Sequence, residues 1–215
     1  MANKSDFIKI VESYLSQFPQ NELCKKIDGA QFSMEDYHKI LLMIFHQTFH
    51  GPSTFALAGA QCPSHLHEAR DYLIHHADEE KSHWKWVISD LNNTGYSGED
   101  PRKLFPPTAC QAYIAYNLYV GMKHPLARLA IAAVLESVGA THAKKYSIKI
   151  AEQLKLKENQ LLFFFGHGDT DIGHTEDVLK VIDGCNLMES EWAQMCHAAK
   201  TAGALYIAMY NEAAK

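Results

Sequence analysis

Along almost the whole of this chain apolar residues recur every three or four positions, and almost nowhere do they alternate with the period of two that a half-buried strand requires. That restricts the fold to packed helices. Phe7, Ile8, Ile10, Val11, Tyr14 and Leu15 set the rhythm in a first helix, which Ser5 can cap and which ends near Pro19. Ser33 and Asp36 form a capping box for a second, which runs through Tyr37, Ile40, Leu41, Ile44 and Phe45 to a break at Gly51 and Pro52. A short helix over Ser53 to Ala60 and a long one from about His65 to Leu91 follow. The stretch NNTGYSGEDPRKLFPP is the longest irregular segment. Beyond it the pattern predicts helices over Thr108 to Met122 and Pro125 to Lys155, joined by a turn at Lys123 and His124, then one carrying FFFGHGDTDIGHTEDV and a last from Glu189 to Ala214. The expected architecture is all-α, a single-domain bundle of seven or eight helices over residues 1–215.

Composition removes several classes of function. The 20 basic and 25 acidic residues give a mildly acidic protein, which argues against nucleic acid and against an anionic membrane surface as partners. MANKSDFIKIVESYL is charged and amphipathic, unlike a signal peptide, and no stretch is expected to span a bilayer; the expected location is cytoplasmic. Five cysteines, an odd number without a C-x-x-C, point to reduced and mostly buried thiols.

Chemistry has to sit where polar residues interrupt apolar helix faces. In HHADEEKSHW, Glu80 and His83 stand at i and i+3, with His76 and Glu79 seven and four residues before His83. A charged, solvated helix face is the plainer reading of this segment alone. In ARLAIAAVLESVGATHA, Glu136 is the only ionisable side chain between Arg128 and His142. A buried carboxylate needs a cation, a hydrogen-bond network or a metal, and pairing with an arginine is the plainer alternative. The chain has only Arg70, Arg102 and Arg128; Arg70 and Arg128 could bind a substrate carboxylate, although a surface or intersubunit pair is the expected role. In FFFGHGDTDIGHTEDV, His167, Asp171 and His174 fall on one helical face. Asp171 and His174 repeat the carboxylate-x-x-His spacing of Glu80 and His83. Two such pairs with one inward glutamate suit a dinuclear carboxylate site in a helical bundle, holding iron or manganese rather than zinc. Gly166, Gly168 and Gly173 weaken that helix and would let another helix or a substrate approach it.

At these residues the sequence resembles the heme-oxygenase-like diiron oxidases and oxygenases, iron-containing redox enzymes whose fold is shared with thiaminase-like and PQQ-synthesis-like proteins. The family's H-x-x-x-D-x-x-H reads here as His167, Asp171 and His174, its E-E-x-x-H as Glu79, Glu80 and His83, and its isolated glutamate in a VLES context as Glu136. The similarity covers about residues 35–182. It implies a seven-helix fold, usually dimeric, without heme. It further implies two ferrous ions held by Glu80, His83, Glu136, His167, Asp171 and His174, with manganese as the alternative metal and dioxygen as co-substrate. The substrates would be small molecules such as amino acids or fatty acids, oxygenated on nitrogen, cleaved or desaturated.

One position departs from the family pattern. Some members take a carboxylate ligand seven residues before the first histidine, and His76 stands there. Either Glu79 or Glu80 then supplies the carboxylate, or the site is richer in histidine. His46 and His50 could contribute from a neighbouring helix, although surface or core roles fit them as well; Tyr113, Tyr116, Tyr119 and Phe163 to Phe165 are candidates for the pocket or the core. The alternatives within this fold are a metal-independent thiaminase-like or PQQ-synthesis-like enzyme, the former with Cys110 as the nearest candidate nucleophile, and a non-catalytic protein that binds a metal or small molecule.

Overall fold

The computed structural model describes residues 2–215, apart from the side chains of residues 167–172. Among the described residues there is no β-strand, and nine α-helices follow one another: α1 (Lys4–Gln17), α2 (Glu22–Asp28), α3 (Met34–Gln61), α4 (His67–Glu80), α5 (Trp84–Asn93), α6 (Thr108–Lys123), α7 (Arg128–Leu154), α8 (Leu162–Gly184) and α9 (Glu189–Ala213). The all-α expectation holds, with one helix more than the periodicity suggested.

The differences have local causes. Asn3, not Ser5, caps α1: Asp6 N donates to Asn3 Oδ1 at 3.1 Å and Asn3 N to Asp6 Oδ2 at 3.2 Å, a reciprocal box that starts the helix before Ser5. The short α2 escaped notice because only two turns bury Leu23, Cys24 and Ile27, too few for a period to show. Gly51 and Pro52 do not end a helix. Proline inside a helix costs about 3 kcal/mol, but Phe55, Ala58 and Gly59 are buried beyond it, and packing holds α3 on its course.

The expected long helix from His65 is divided at Lys81–His83. Asp78, Glu79 and Glu80 crowd the negative end of α4, which has no basic residue in its last turn. The chain tightens there, with His83 N donating to Glu80 O at 3.2 Å and Trp86 N to His83 O at 3.0 Å. Trp84 then restarts the helix by packing edge-on against Phe45 and Phe49.

α7 lies at the centre, packed most extensively against α8 and α9, while α3 packs against α4 and α6. Every residue from Arg128 to Val134 is buried, which is why this helix is apolar all round. By length and composition Pro125–Leu154 could cross a membrane, contrary to the expectation of no such stretch; 61% of its apolar window is buried inside the bundle, and that burial accounts for its hydropathy. α3 and α4 approach closely at Gly59, where a Cβ would stand 2.7 Å from Ile74 Cγ1 and 3.4 Å from Arg70 O. That approach seats Phe55, one turn earlier on α3, edge-on against His76 with ring centroids 4.5 Å apart.

The start of α8 is fixed from outside its own sequence. Leu161 offers no side-chain cap. Instead the fully buried Asp90 of α5 accepts from Leu162 N at 2.8 Å and from Phe163 N at 3.0 Å. Burial pushes its carboxyl up to about 6, although both N–H groups oppose the shift.

Candidate metal centre

Three helices converge on one buried cluster. His76 from α4, Glu136 from α7 and His174 from α8 each offer a ligand atom within 4.8 Å of the other two. Glu136 presents its two oxygens separately: Oε1 lies 3.3 Å from His76 Nε2, and Oε2 lies 3.5 Å from His174 Nδ1. His76 Nδ1 in turn faces Glu79 Oε2 at 3.5 Å. His174 has two further carboxylates near it, Glu79 Oε2 at 3.8 Å and Glu80 Oε1 at 4.0 Å. Among the described residues no arginine pairs with Glu136, the plainer alternative; the imidazoles of His76 and His174 face it instead.

The cluster is shielded from water. His76 is 1% exposed, and its ring lies between Phe55 and Tyr72, the latter stacked on it at 5.4 Å and 12°. Burial would push the Glu136 carboxyl up, but His174 and His76 outweigh it and hold the group well below the usual carboxylate range. The Glu136 carboxylate correspondingly holds the His174 imidazole up at about 9, although burial opposes this. Without a metal, a proton on His174 supplies the positive charge that the converging carboxylates require.

The donor set fits a transition metal. Among the described residues neither ring nitrogen of His76 nor Nδ1 of His174 has a hydrogen-bond partner, although all three atoms are buried. The approaches to the carboxylates are close but fall outside hydrogen-bond geometry. Unsatisfied imidazole nitrogens facing ionised carboxylates in a dry site are the arrangement a cation completes.

The sequence-derived candidates are distributed as follows. Glu136 and His174 are in the cluster, as is His76, which the family pattern had left as an outlying candidate. Glu79 and Glu80 border it. His83 is 8% exposed, and its Nδ1 pairs with Glu80 Oε2 at 2.7 Å while its ring stacks on Trp86 at 4.4 Å. His167 and Asp171 lie outside the described residues. His46 is a core residue whose ring contacts Phe45 and His50, and burial lowers it to about 4. Gly166 does admit a neighbour, since a Cβ there would meet Trp86 at 2.9 Å; Gly173 has nothing within 4 Å. Gly168 lies outside the described residues.

A cavity beside the cluster has about 120 Å³ open to the centre of a water molecule, room for several waters or a small organic ligand. His76, Glu80 and Glu136 form part of its wall, with Phe55, Tyr113 and Leu135 among its apolar and aromatic lining. Phe163 and Phe164 also reach this wall, as expected of pocket or core residues. Sequence reasoning misplaced Arg128. It is 3% exposed, not on the surface, and lines the same cavity. The available signal was its place at the head of an apolar helix, two turns before Glu136.

The cysteines are free, and Cys110 is fully buried. Burial pushes its thiol up to about 12, and Sγ faces Met43 O at 3.5 Å.

Residues 39–206 match the family model described as iron-containing redox enzyme. No curated protein matches the chain in sequence. Among solved structures, a domain of unknown function with a heme oxygenase-like fold from Shewanella denitrificans superposes with a TM-score of 0.87 at 20% identity, over 99% of this chain and 92% of that one. A TenA homolog from Pseudomonas syringae aligns at 0.77 and 16% identity over 98% and 91% of the two chains. Heme oxygenase-1 from the cyanobacterium Synechocystis, in complex with heme, aligns at 0.74 and 15% identity over 97% and 90%. Likeness at this level of identity establishes the heme-oxygenase-like fold.

Proposed function

The chain belongs to the iron-containing redox enzyme family, and from that premise we propose that it is a non-heme diiron oxidase or oxygenase that uses dioxygen to oxidise a small metabolite, an amino acid or fatty acid derivative. The observation that carries this reading is the division of Glu136 between two imidazoles, one oxygen to His76 and the other to His174. A carboxylate presented in this way can serve two metal ions or stiffen one, and Glu79, Glu80 and His83 add donors at its border.

His76, Glu79, Glu80, His83, Glu136 and His174 would hold the iron, with His167 and Asp171 as further ligands implied by the family resemblance. Bound iron would supply one-electron chemistry and an open position for dioxygen. The chain's own part is positional. Phe55 and Tyr72 keep water from His76 and fix its ring. Without metal, Glu136 stays ionised and His174 holds a proton, so that the ligand atoms are kept facing one another. The adjoining cavity would hold a small molecule against this cluster. The thiaminase-like alternative draws no support from Cys110, since a buried thiol raised to about 12 carries almost no thiolate.

Anaerobic titration with ferrous iron, read as metal per chain and followed by oxygen uptake, tests the reading. Two irons per chain and oxygen consumption are expected. Absence of iron uptake, or uptake unchanged in Glu136→Ala and His76→Ala, overturns it.

A further inference from the structure

We propose that Arg128 anchors a carboxylate of the substrate, so that the molecule oxidised is a small organic acid lying along the cavity with its reacting end toward the His76–Glu136–His174 cluster. This rests on the functional reading above and narrows it to a substrate class.

Arg128 is a buried charge that makes no ion pair among the described residues; Glu136 and Glu80 favour its charge only at longer range. Among the described residues its one hydrogen bond runs from Nε to Thr54 Oγ1 at 3.2 Å, and NH1 is buried with no partner. Thr54 is itself committed, donating to Gly51 O at 2.8 Å, so its hydroxyl can only accept from the guanidinium. Among the described residues no carboxylate comes within ion-pair distance of Arg128, although Glu136 lies on the same helix. Arginine does not shed its proton in proteins, and a buried guanidinium left unpaired is strongly unfavourable unless a ligand completes it. Its planar fork matches a carboxylate with two parallel hydrogen bonds.

Position supports the assignment. The guanidinium carbon lies 3.5 Å from the centroid of the Phe55 ring, whose centroid is 4.5 Å from that of His76, so the cation and the imidazole stand no more than about 8 Å apart. Phe55 thus fixes both groups. A carboxylate held at Arg128 would put a carbon only a few bonds away beside the metal cluster. The cavity wall is mainly apolar, with Leu135 and Ile114 among the lining residues, as an alkyl body would require. Glu136 and Glu80 support the Arg128 charge from a distance, but among the described residues neither pairs with it directly, which leaves the buried NH1 open to a ligand.

The test uses the full-length protein stripped of metal by chelation, so that ligand binding is read apart from iron chemistry. Calorimetric titrations compare straight-chain monocarboxylates from butanoate to decanoate with the corresponding neutral amides, for the wild type, Arg128→Gln and Arg128→Lys. The expected result is that at least one acid binds at least tenfold more tightly than its amide to the wild type. That preference should disappear in Arg128→Gln and fall several-fold in Arg128→Lys, which keeps the charge but not the fork. Circular dichroism and ferrous-iron stoichiometry check that each variant is folded; should Arg128→Gln fail to fold, the wild type and Arg128→Lys decide. Acids and amides binding alike, neither binding, or a preference that survives both substitutions would each overturn the proposal. Iron uptake without acid preference rejects the anchor alone, and acid preference without iron uptake rejects the diiron reading alone.

Discussion

Glu136 Oε1 stands 3.3 Å from His76 Nε2, joining the central helix α7 to the end of α4 inside the bundle. This contact ties a carboxylate that would otherwise be an uncompensated buried charge to an imidazole that has no hydrogen-bond partner among the described residues. It leads directly to a prediction about metal. His76→Ala and Glu136→Gln should each weaken ferrous-iron binding by at least tenfold, roughly the scale seen when even supporting groups of metal sites are removed. Equilibrium dialysis against graded ferrous iron under nitrogen measures this. Wild-type affinity in both variants would place the iron elsewhere.

The metal-free protein should lose stability in alkali. The His174 imidazole is raised from 6.5 to about 9, so its contribution is full below 6.5 and disappears as the pH rises through 9. Glu136 is lowered from 4.5, so its contribution is present above 4.5 and fades as the pH falls through its depressed value. The melting temperature of the chelated protein should therefore fall between pH 7 and pH 10. In Glu136→Gln, where His174 loses its principal partner, that fall should be smaller. Parallel alkaline slopes for the two proteins would show that the pair does not set the protonation of His174.

Removing the Asp90 carboxylate should loosen the start of α8. Asp90→Ala removes the carboxylate that accepts from Leu162 N and Phe163 N. Loss of a helix cap costs about 1 to 2 kcal/mol, and for a chain of this length that lowers the melting temperature by roughly 2 to 8 °C. A change below about 1 °C in calorimetry would mean that water or a neighbouring side chain satisfies these groups.

Two glycines of α8 should respond in opposite ways. A Cβ at Gly166 would meet Trp86 Cζ3 at 2.9 Å, and Trp86 is the ring that stacks on His83. Gly166→Ala should cost about 1 to 3 kcal/mol by overpacking and shift the tryptophan fluorescence. Gly173 has nothing within 4 Å. Gly173→Ala should stabilise the helix by up to about 1 kcal/mol. Thermal melts of the two variants that move in the same direction would contradict the packing of α8 against α5.

The family resemblance of the ligand motifs was legible because the donors sit three, four or seven residues apart on single helices. Glu136 was legible for a different reason, as one acid in an apolar helix that must find a partner. Which partner it finds was not legible: His76 stands where some family members have a carboxylate and was only a less certain ligand candidate, and in the fold it is an imidazole facing Glu136. His167 and Asp171 were read on the same grounds as His174, but their side chains lie outside the described residues, so the geometry speaks only for His174. Arg128 was misread because a cation at a helix start usually lies at the surface, whereas here Thr54 and Phe55 of α3 pack against its guanidinium inside the bundle.

The sequence by itself determined the helical class, the capping box of Ser33 with Asp36, and the need for a compensating partner at Glu136. These depend on hydrogen bonds and side-chain periods within about four residues, or on the cost of burying one charge. Tertiary structure alone decided that α3 continues through Pro52, that the chain turns between Glu80 and Trp84, that Asp90 caps a helix more than seventy residues later, and that His76, Glu136 and His174 meet. In each case the deciding energy comes from two helix faces packing together. Which faces meet depends on the shape of every side chain between them, and no local pattern records that.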